Sequence, residues 1–186
     1  MQVELKAFYV SPGHNFFGRK SLPAGDHPTI EPASVQCRAG RGIEGDRFFG
    51  YRPDYNGQIT FFSAAVLAEL RSTHARPELS AAVLRRNVLL AGVDLTQLIG
   101  RRFAIAGVSF EGTGEARPCH WMNHAVGPGA EAWLMGRGGL RARILTDGAL
   151  TLGPAPLELL QDSLQPRQPA GFVGKRAVEL RLERGV

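Results

Sequence analysis

Apolar and polar residues alternate along this chain in short stretches, and no stretch keeps a helical period for long. Val3-Glu4-Leu5-Lys6-Ala7 alternates as a half-buried strand does, continues through Phe8-Tyr9-Val10, and stops at Ser11-Pro12-Gly13-His14-Asn15. Val35-Gln36-Cys37-Arg38 repeats that pattern. Tyr55-Asn56-Gly57-Gln58 predicts a hairpin turn into a strand at Ile59-Thr60-Phe61-Phe62, because Asn-Gly accepts positive φ. Ser63 is placed to cap a helix from Ala64 to about Arg71 with Val66, Leu67 and Leu70 on one face, and Pro77 to open a second with Leu79, Ala82 and Val83 inward. Strands are expected at Val88-Leu89-Leu90, Phe103-Ala104-Ile105 and Val108-Ser109-Phe110-Glu111, turning at Ala91-Gly92 and Ala106-Gly107. One or two helical turns at Ala130 to Met135 precede a predicted hairpin, Arg143-Ile144-Leu145-Thr146 and Ala149-Leu150-Thr151-Leu152 about Asp147-Gly148. A linker-like segment, 161–174, leads to a last strand at Ala177 to Leu182.

Many short strands with few helices predict a mainly β fold, a closed or partly closed β-barrel with small helical insertions. The 23 glycines and 12 prolines punctuate these segments and form no low-complexity block. Residues 11–34 carry Pro12, Pro23, Pro28 and Pro32, so they predict a long loop that wraps the domain or partly covers a site. At 186 residues and 44% hydrophobic content, a single domain over 1–186 buries its own core without disulfide or metal staples. No run approaches the ~18 apolar residues of a membrane span, and the opening MQVELKAFYV lacks a signal peptide's basic flank, so a cytoplasmic protein with no membrane partner is expected.

The formal charge of +5 comes from 22 basic residues, of which 19 are Arg and 3 Lys, and like charges never run beyond pairs. Scattered pairs make a poor phosphate-tracking stripe, so nucleic acid is an unlikely partner. A bias toward Arg suits bidentate grip on an oxyanion, although codon preference produces the same skew. A rival reading remains, a non-catalytic basic β-barrel that binds RNA or an acidic protein through Phe48, Phe49, Tyr51, Arg52 and Tyr55. The plainer account of those residues is a hydrophobic loop packed on the barrel.

The two cysteines, Cys37 and Cys119, lie in different contexts and cannot form a multi-cysteine zinc site within one chain. Cys37 alternates like a strand residue and receives no role. Cys119 follows a predicted strand in Gly112-Thr113-Gly114-Glu115-Ala116-Arg117-Pro118-Cys119-His120-Trp121, where Arg117 or protonated His120 would favour the reactive thiolate. Cys119 and His120 are therefore the candidate catalytic pair, with His120 orienting or protonating a group at the sulfur. The bland alternative is a small buried hydrophobe. His120 and His124, four apart, would share a face on a helix and with Cys119 resemble a sparse set of metal ligands, but no fourth ligand is apparent for zinc. Gly40-Arg41-Gly42-Ile43-Glu44-Gly45-Asp46-Arg47 lacks the ending of a P-loop and the setting of a dinucleotide fingerprint; its glycines open the backbone, and Asp46 and Arg47 can pair or bind a ligand.

Taken in order, Gly42-Ile43-Glu44-Gly45-Asp46-Arg47, Arg85-Arg86-Asn87-Val88, Gly92-Val93-Asp94-Leu95-Thr96-Gln97-Leu98-Ile99-Gly100, Arg117-Pro118-Cys119 and the stretch Gly139 to Gly148 resemble the motifs of the MOSC domain, named for the C-terminal domain of molybdenum cofactor sulfurase. The resemblance covers about residues 35–153, and it departs at Phe48-Phe49, where many members have His, and at Gly153-Pro154, where many have Gly-Asp. It implies a β-barrel that handles a molybdenum cofactor (molybdopterin) or sulfur around Cys119, as metal thiolate or persulfide-bearing sulfur carrier. It further implies Gly45, Asp46, Arg47, Arg86, Asn87 and Arg117 as the cofactor-binding set, with Asp46 orienting Arg47 and Asn87 meeting a pterin edge or a metal-bound oxo group. Reduction of N-hydroxylated compounds or sulfur transfer would be the activity, on a small-molecule substrate, with a separate cysteine desulfurase or redox partner. No pyridoxal-phosphate site is expected within this chain.

Overall fold

The computed structural model describes residues 1–15 and 25–161. Ten strands are present: β1 (Gln2–Phe8), β2 (Ser34–Arg38), β3 (Gly42–Ile43), β4 (Ile59–Ser63), β5 (Val88–Ala91), β6 (Arg102–Ile105), β7 (Val108–Glu115), β8 (Leu140–Ile144), β9 (Gly148–Thr151) and β10 (Gly153–Leu159). Seven of them close into a barrel in the order β1-β10-β6-β7-β8-β4-β5, and β3-β2-β9 form a small separate sheet. The barrel is antiparallel except at β4 and β5, which run parallel because helix α1 (Ala64–Thr73) carries the chain across between them.

Alternation decides what fills the barrel. The inward set includes Leu5, Phe61, Phe103, Phe110 and Leu140, with the Phe61, Phe103 and Phe110 rings 5.4 to 6.1 Å apart. A second apolar layer lies outside, where Leu67 and Leu70 of α1 pack with Phe62, Leu84, Met122 of α2 (Trp121–Ala125) and Leu134 of α3 (Ala130–Leu134). Ser63 caps α1 by accepting from the Val66 amide at 3.4 Å.

Several expectations meet a different outcome. Tyr55 to Gln58 is a turn but not a hairpin, since the strand it feeds pairs with β5 and β8, and the positive φ falls on Asp54. The helix after Pro77 is a 3-10 turn, Ala81–Leu84, capped by Ser80; it buries Ala81 and Leu84, so the inward face is shifted from Ala82 and Val83. Asp147-Gly148 does not join a hairpin either. β8 stays in the barrel and β9 pairs with β2, because the Asp147 carboxylate accepts from the Ala39 amide at 2.7 Å and holds Arg38 at 3.2 Å. β10 lies where no strand was expected. The predicted strand at Ala177 to Leu182 and most of the linker before it lie outside the described residues. No described helix is long and apolar enough to cross a membrane.

Candidate functional site

Cys119 sits just before α2, on the loop that leaves β7, and its side chain is partly exposed. It lines a hollow of about 330 Å³ into which five arginines also face: Arg47, Arg85, Arg86, Arg117 and Arg141. Among the described residues no Asp or Glu lines this hollow. Like charges collected in one concavity focus a positive potential that favours an entering anion and weakens as ionic strength rises.

The arginines do different things. Arg86 spends its guanidinium on backbone carbonyls: Gly138 and Leu84 at 2.9 Å, Ala116, and Arg117 at 3.5 Å. It pins the Cys119 loop to the 3-10 turn and to the approach of β8. Burial, with Arg141 nearby, pushes its pKa down to about 10, which leaves it charged at neutral pH. Arg85, in a left-handed conformation at φ 60°, is likewise pushed down to about 10 by burial and the Arg47 charge, and its guanidinium lies 5.8 Å over the Trp121 ring. Arg117 is exposed at the rim, and neither it nor Arg141 has a carboxylate within ion-pair distance among the described residues.

Arg47 is the most constrained. Its side chain is 10% exposed, its Nη1 lies 3.5 Å from Asp46 Oδ2, its Nη2 donates to Arg85 O at 3.4 Å, and its buried Nε has no partner among the described residues. Phe48 puts its ring 5.1 Å from the Arg47 guanidinium. Asp46 is buried and accepts from the Phe48 amide at 3.0 Å and from Asn87 Nδ2 at 3.1 Å, so its carboxylate faces Arg47 from behind the hollow. The turn that aims this pair needs Gly45, whose φ is 79°. Gly45 itself lines a different groove.

Asn87 lines the hollow, yet its side chain is fully engaged: Nδ2 donates to Tyr9 O and Asp46, and Oδ1 accepts from the Thr60 amide at 3.0 Å and hydroxyl at 2.8 Å. With all four hydrogen-bonding positions taken, it ties β1, β4 and the Asp46 turn together and has none left for a pterin or an oxo group. His120 is exposed and is not among the residues that line the hollow. Cys37 is fully buried in β2, and burial pushes its thiol up to about 12, which keeps it neutral and inert.

Two residues escaped the sequence reading. Arg85 lies in the Arg-Arg-Asn run and Arg141 in the stretch Gly139 to Gly148, but neither is assigned there as a site residue. A second hollow of about 230 Å³ shares Arg47, Arg85 and Arg86 and is also lined by Ser11, Asn15 and Thr29.

A small closed barrel with one accessible thiol at an arginine-lined mouth defines the class of protein. The sequence model of the MOSC domain matches residues 45–155, and the chain belongs to that family. Its fold resembles that of YuaD from Bacillus subtilis, with a TM-score of 0.68 at 20% identity over 87% of this chain and 98% of that one. YiiM from Geobacillus stearothermophilus (0.60, 18%, 87% of this chain and 77% of that) and YiiM from Escherichia coli (0.57, 16%, 87% and 70%) share it as well. At such identities the likeness is one of fold. No curated protein sequence matches the chain.

Proposed function

We propose that this MOSC protein binds a molybdenum cofactor, with the Cys119 thiolate as its protein ligand to the metal. The observation that carries the reading is a single partly exposed sulfur inside a hollow lined by five arginines and no carboxylate. The donor set fits such a group. No three His, Cys, Asp or Glu side chains converge among the described residues, so the protein offers one soft donor, which suits a metal that arrives with its own sulfur ligands. The unpartnered Nε of Arg47 is a buried donor awaiting an acceptor, and an anionic pterin phosphate supplies acceptors.

Cys119 would hold the metal; Arg47, Arg85 and Arg117 would neutralise the anion; Arg86 would keep the Cys119 loop in place through its carbonyl contacts; Asp46 would aim Arg47. When bound, the cofactor supplies two-electron redox or oxygen-atom chemistry on a small-molecule substrate, with an N-hydroxylated compound as the candidate. Phe48 and Tyr55, which stack at 5.2 Å, give the hollow an aromatic side. A separate redox partner would deliver electrons.

The same thiolate serves a second reading, a persulfide carrier loaded by a separate cysteine desulfurase. In a cofactor-competent host, wild type should retain molybdenum near one atom per chain and Cys119→Ser should lose it with an unchanged fold. Equal metal in both overturns ligation, and a gain of one sulfur by mass after incubation with a desulfurase moves the function to the carrier. The binding-module reading gains from Tyr51 and Arg52, which are exposed; salt-sensitive RNA binding that survives loss of Cys119 would favour it.

A further inference from the structure

Behind the wall that carries Cys119 lies an apolar groove of about 300 Å³ that the proposed function leaves unused. It runs between α1, the 3-10 turn Leu95–Leu98 and the loop before β8. Val66, Leu95 and Ile99 give it an aliphatic floor, and Ile99 is 42% exposed. Four charged groups line it: Glu69, Asp94, Glu115 and Arg137. Arg137 is already neutralised by Glu69 at 2.9 Å. Asp94 and Glu115 remain, and among the described residues neither has a Lys or Arg within ion-pair distance. On a chain of net charge +5, this groove is locally negative.

Both carboxylates are held in place. Asp94 Oδ1 accepts from the Thr96 amide at 3.0 Å and hydroxyl at 2.8 Å, which keeps its carboxyl below the usual range and ionised. Glu115 Oε1 accepts from the Gly138 amide at 3.0 Å. Fixed negative ends beside an aliphatic floor complement a ligand with an apolar body and one positive end.

From this arrangement we infer that the groove is a second ligand site, for a small aliphatic cation such as an alkylammonium or alkylguanidinium. The alkyl chain lies on Val66, Leu95 and Ile99, and the cation sits between Asp94 and Glu115. A groove of this volume holds one short chain, which favours a free small molecule over a protein segment. Glu115 also touches the other site, because the Gly138 whose amide it holds offers its carbonyl to Arg86.

The test is a titration of the full-length protein with hexylamine, followed by amide shifts in a 1H–15N spectrum, with hexanol and hexanoate as controls. The expected result is a saturable shift centred on Ser63, Thr96, Ile99, Gly136 and Gly139, with Kd on the order of 1 mM. Asp94→Asn and Glu115→Gln keep the cap and the Gly138 contact while removing charge, and each should weaken binding about threefold with Tm unchanged. Cys119→Ser should bind hexylamine as wild type does, so failure here and failure of cofactor binding are separable. Equal binding of hexanol, indifference to both charge variants, or no saturation overturns the assignment. Tighter binding of acetyl-Leu-Lys-Leu-amide, with shifts spreading beyond the groove, would replace the small molecule with a docked protein segment and overturn it too.

Discussion

At the scale of single residues, burial sorts side chains that look alike in sequence. Cys37 and Cys119 are both lone cysteines, but one is sealed in a strand and the other opens on a ring of positive charge. The Cys37 thiol, ordinarily near 9.0, is pushed to about 12 when folded, so the unfolded chain releases its proton first as pH rises. Stability from this group is complete below about pH 9 and declines between about 9 and 12, the folding equilibrium falling up to about tenfold per pH unit. Urea unfolding at pH 7 to 10.5 should show a shallower alkaline decline in Cys37→Ala than in wild type, despite a lower midpoint at pH 7. Arg86 illustrates the same sorting among cations. The motif marked it as an anion binder, but the structure surrounds its guanidinium with carbonyls, which a sequence cannot announce because those partners come from residues 84, 116, 117 and 138. Replacing it by Met leaves those acceptors without donors and should cost about 2 to 4 kcal/mol in denaturant unfolding. Arg86→Lys should recover less than half of that, since an ammonium cannot reproduce the planar fork.

At the scale of elements, alternation was a good guide wherever one face is wet. β1, β2, β5, β6 and β7 lie where their patterns put them, and Ala106-Gly107 turns β6 into β7 with both residues at positive φ. The misses have local causes. Pro154 and Pro156 disguise β10, although both project outward and the Pro156 carbonyl still accepts from the Ala106 amide. Asp147-Gly148 has the composition of a hairpin turn, but its carboxylate is claimed by Arg38 and the Ala39 amide, so it sends the chain to another sheet. Gly139 is required at the start of β8: its φ is 97°, and a Cβ there would stand 2.1 Å from the Phe61 carbonyl oxygen on β4. Gly139→Ala should therefore destabilise by about 3 kcal/mol or more and loosen the Gly138 contact with Arg86, a loss read directly in the thermal midpoint.

For the molecule as a whole, barrel closure makes the site. β10 inserts between β1 and β6, and the turn at 46–47, the end of the 3-10 turn at 85–87, the loop at 116–119 and β8 at 141 come to one mouth. Each motif was legible separately, and their order pointed to the family. Their convergence was not, since the residues that line the hollow come from segments far apart in the chain, and His120, adjacent to the sulfur in sequence, is not among them. The central claim is that one sulfur is accessible within a positively charged hollow. Native-state alkylation with iodoacetate and iodoacetamide, located by mass, measures this most directly. The account predicts modification at Cys119 alone, with the anionic reagent gaining at least about tenfold on the neutral one relative to the unfolded chain, a gain that salt erodes. Modification of Cys37 at a comparable rate, or a preference for the neutral reagent at Cys119, would contradict it.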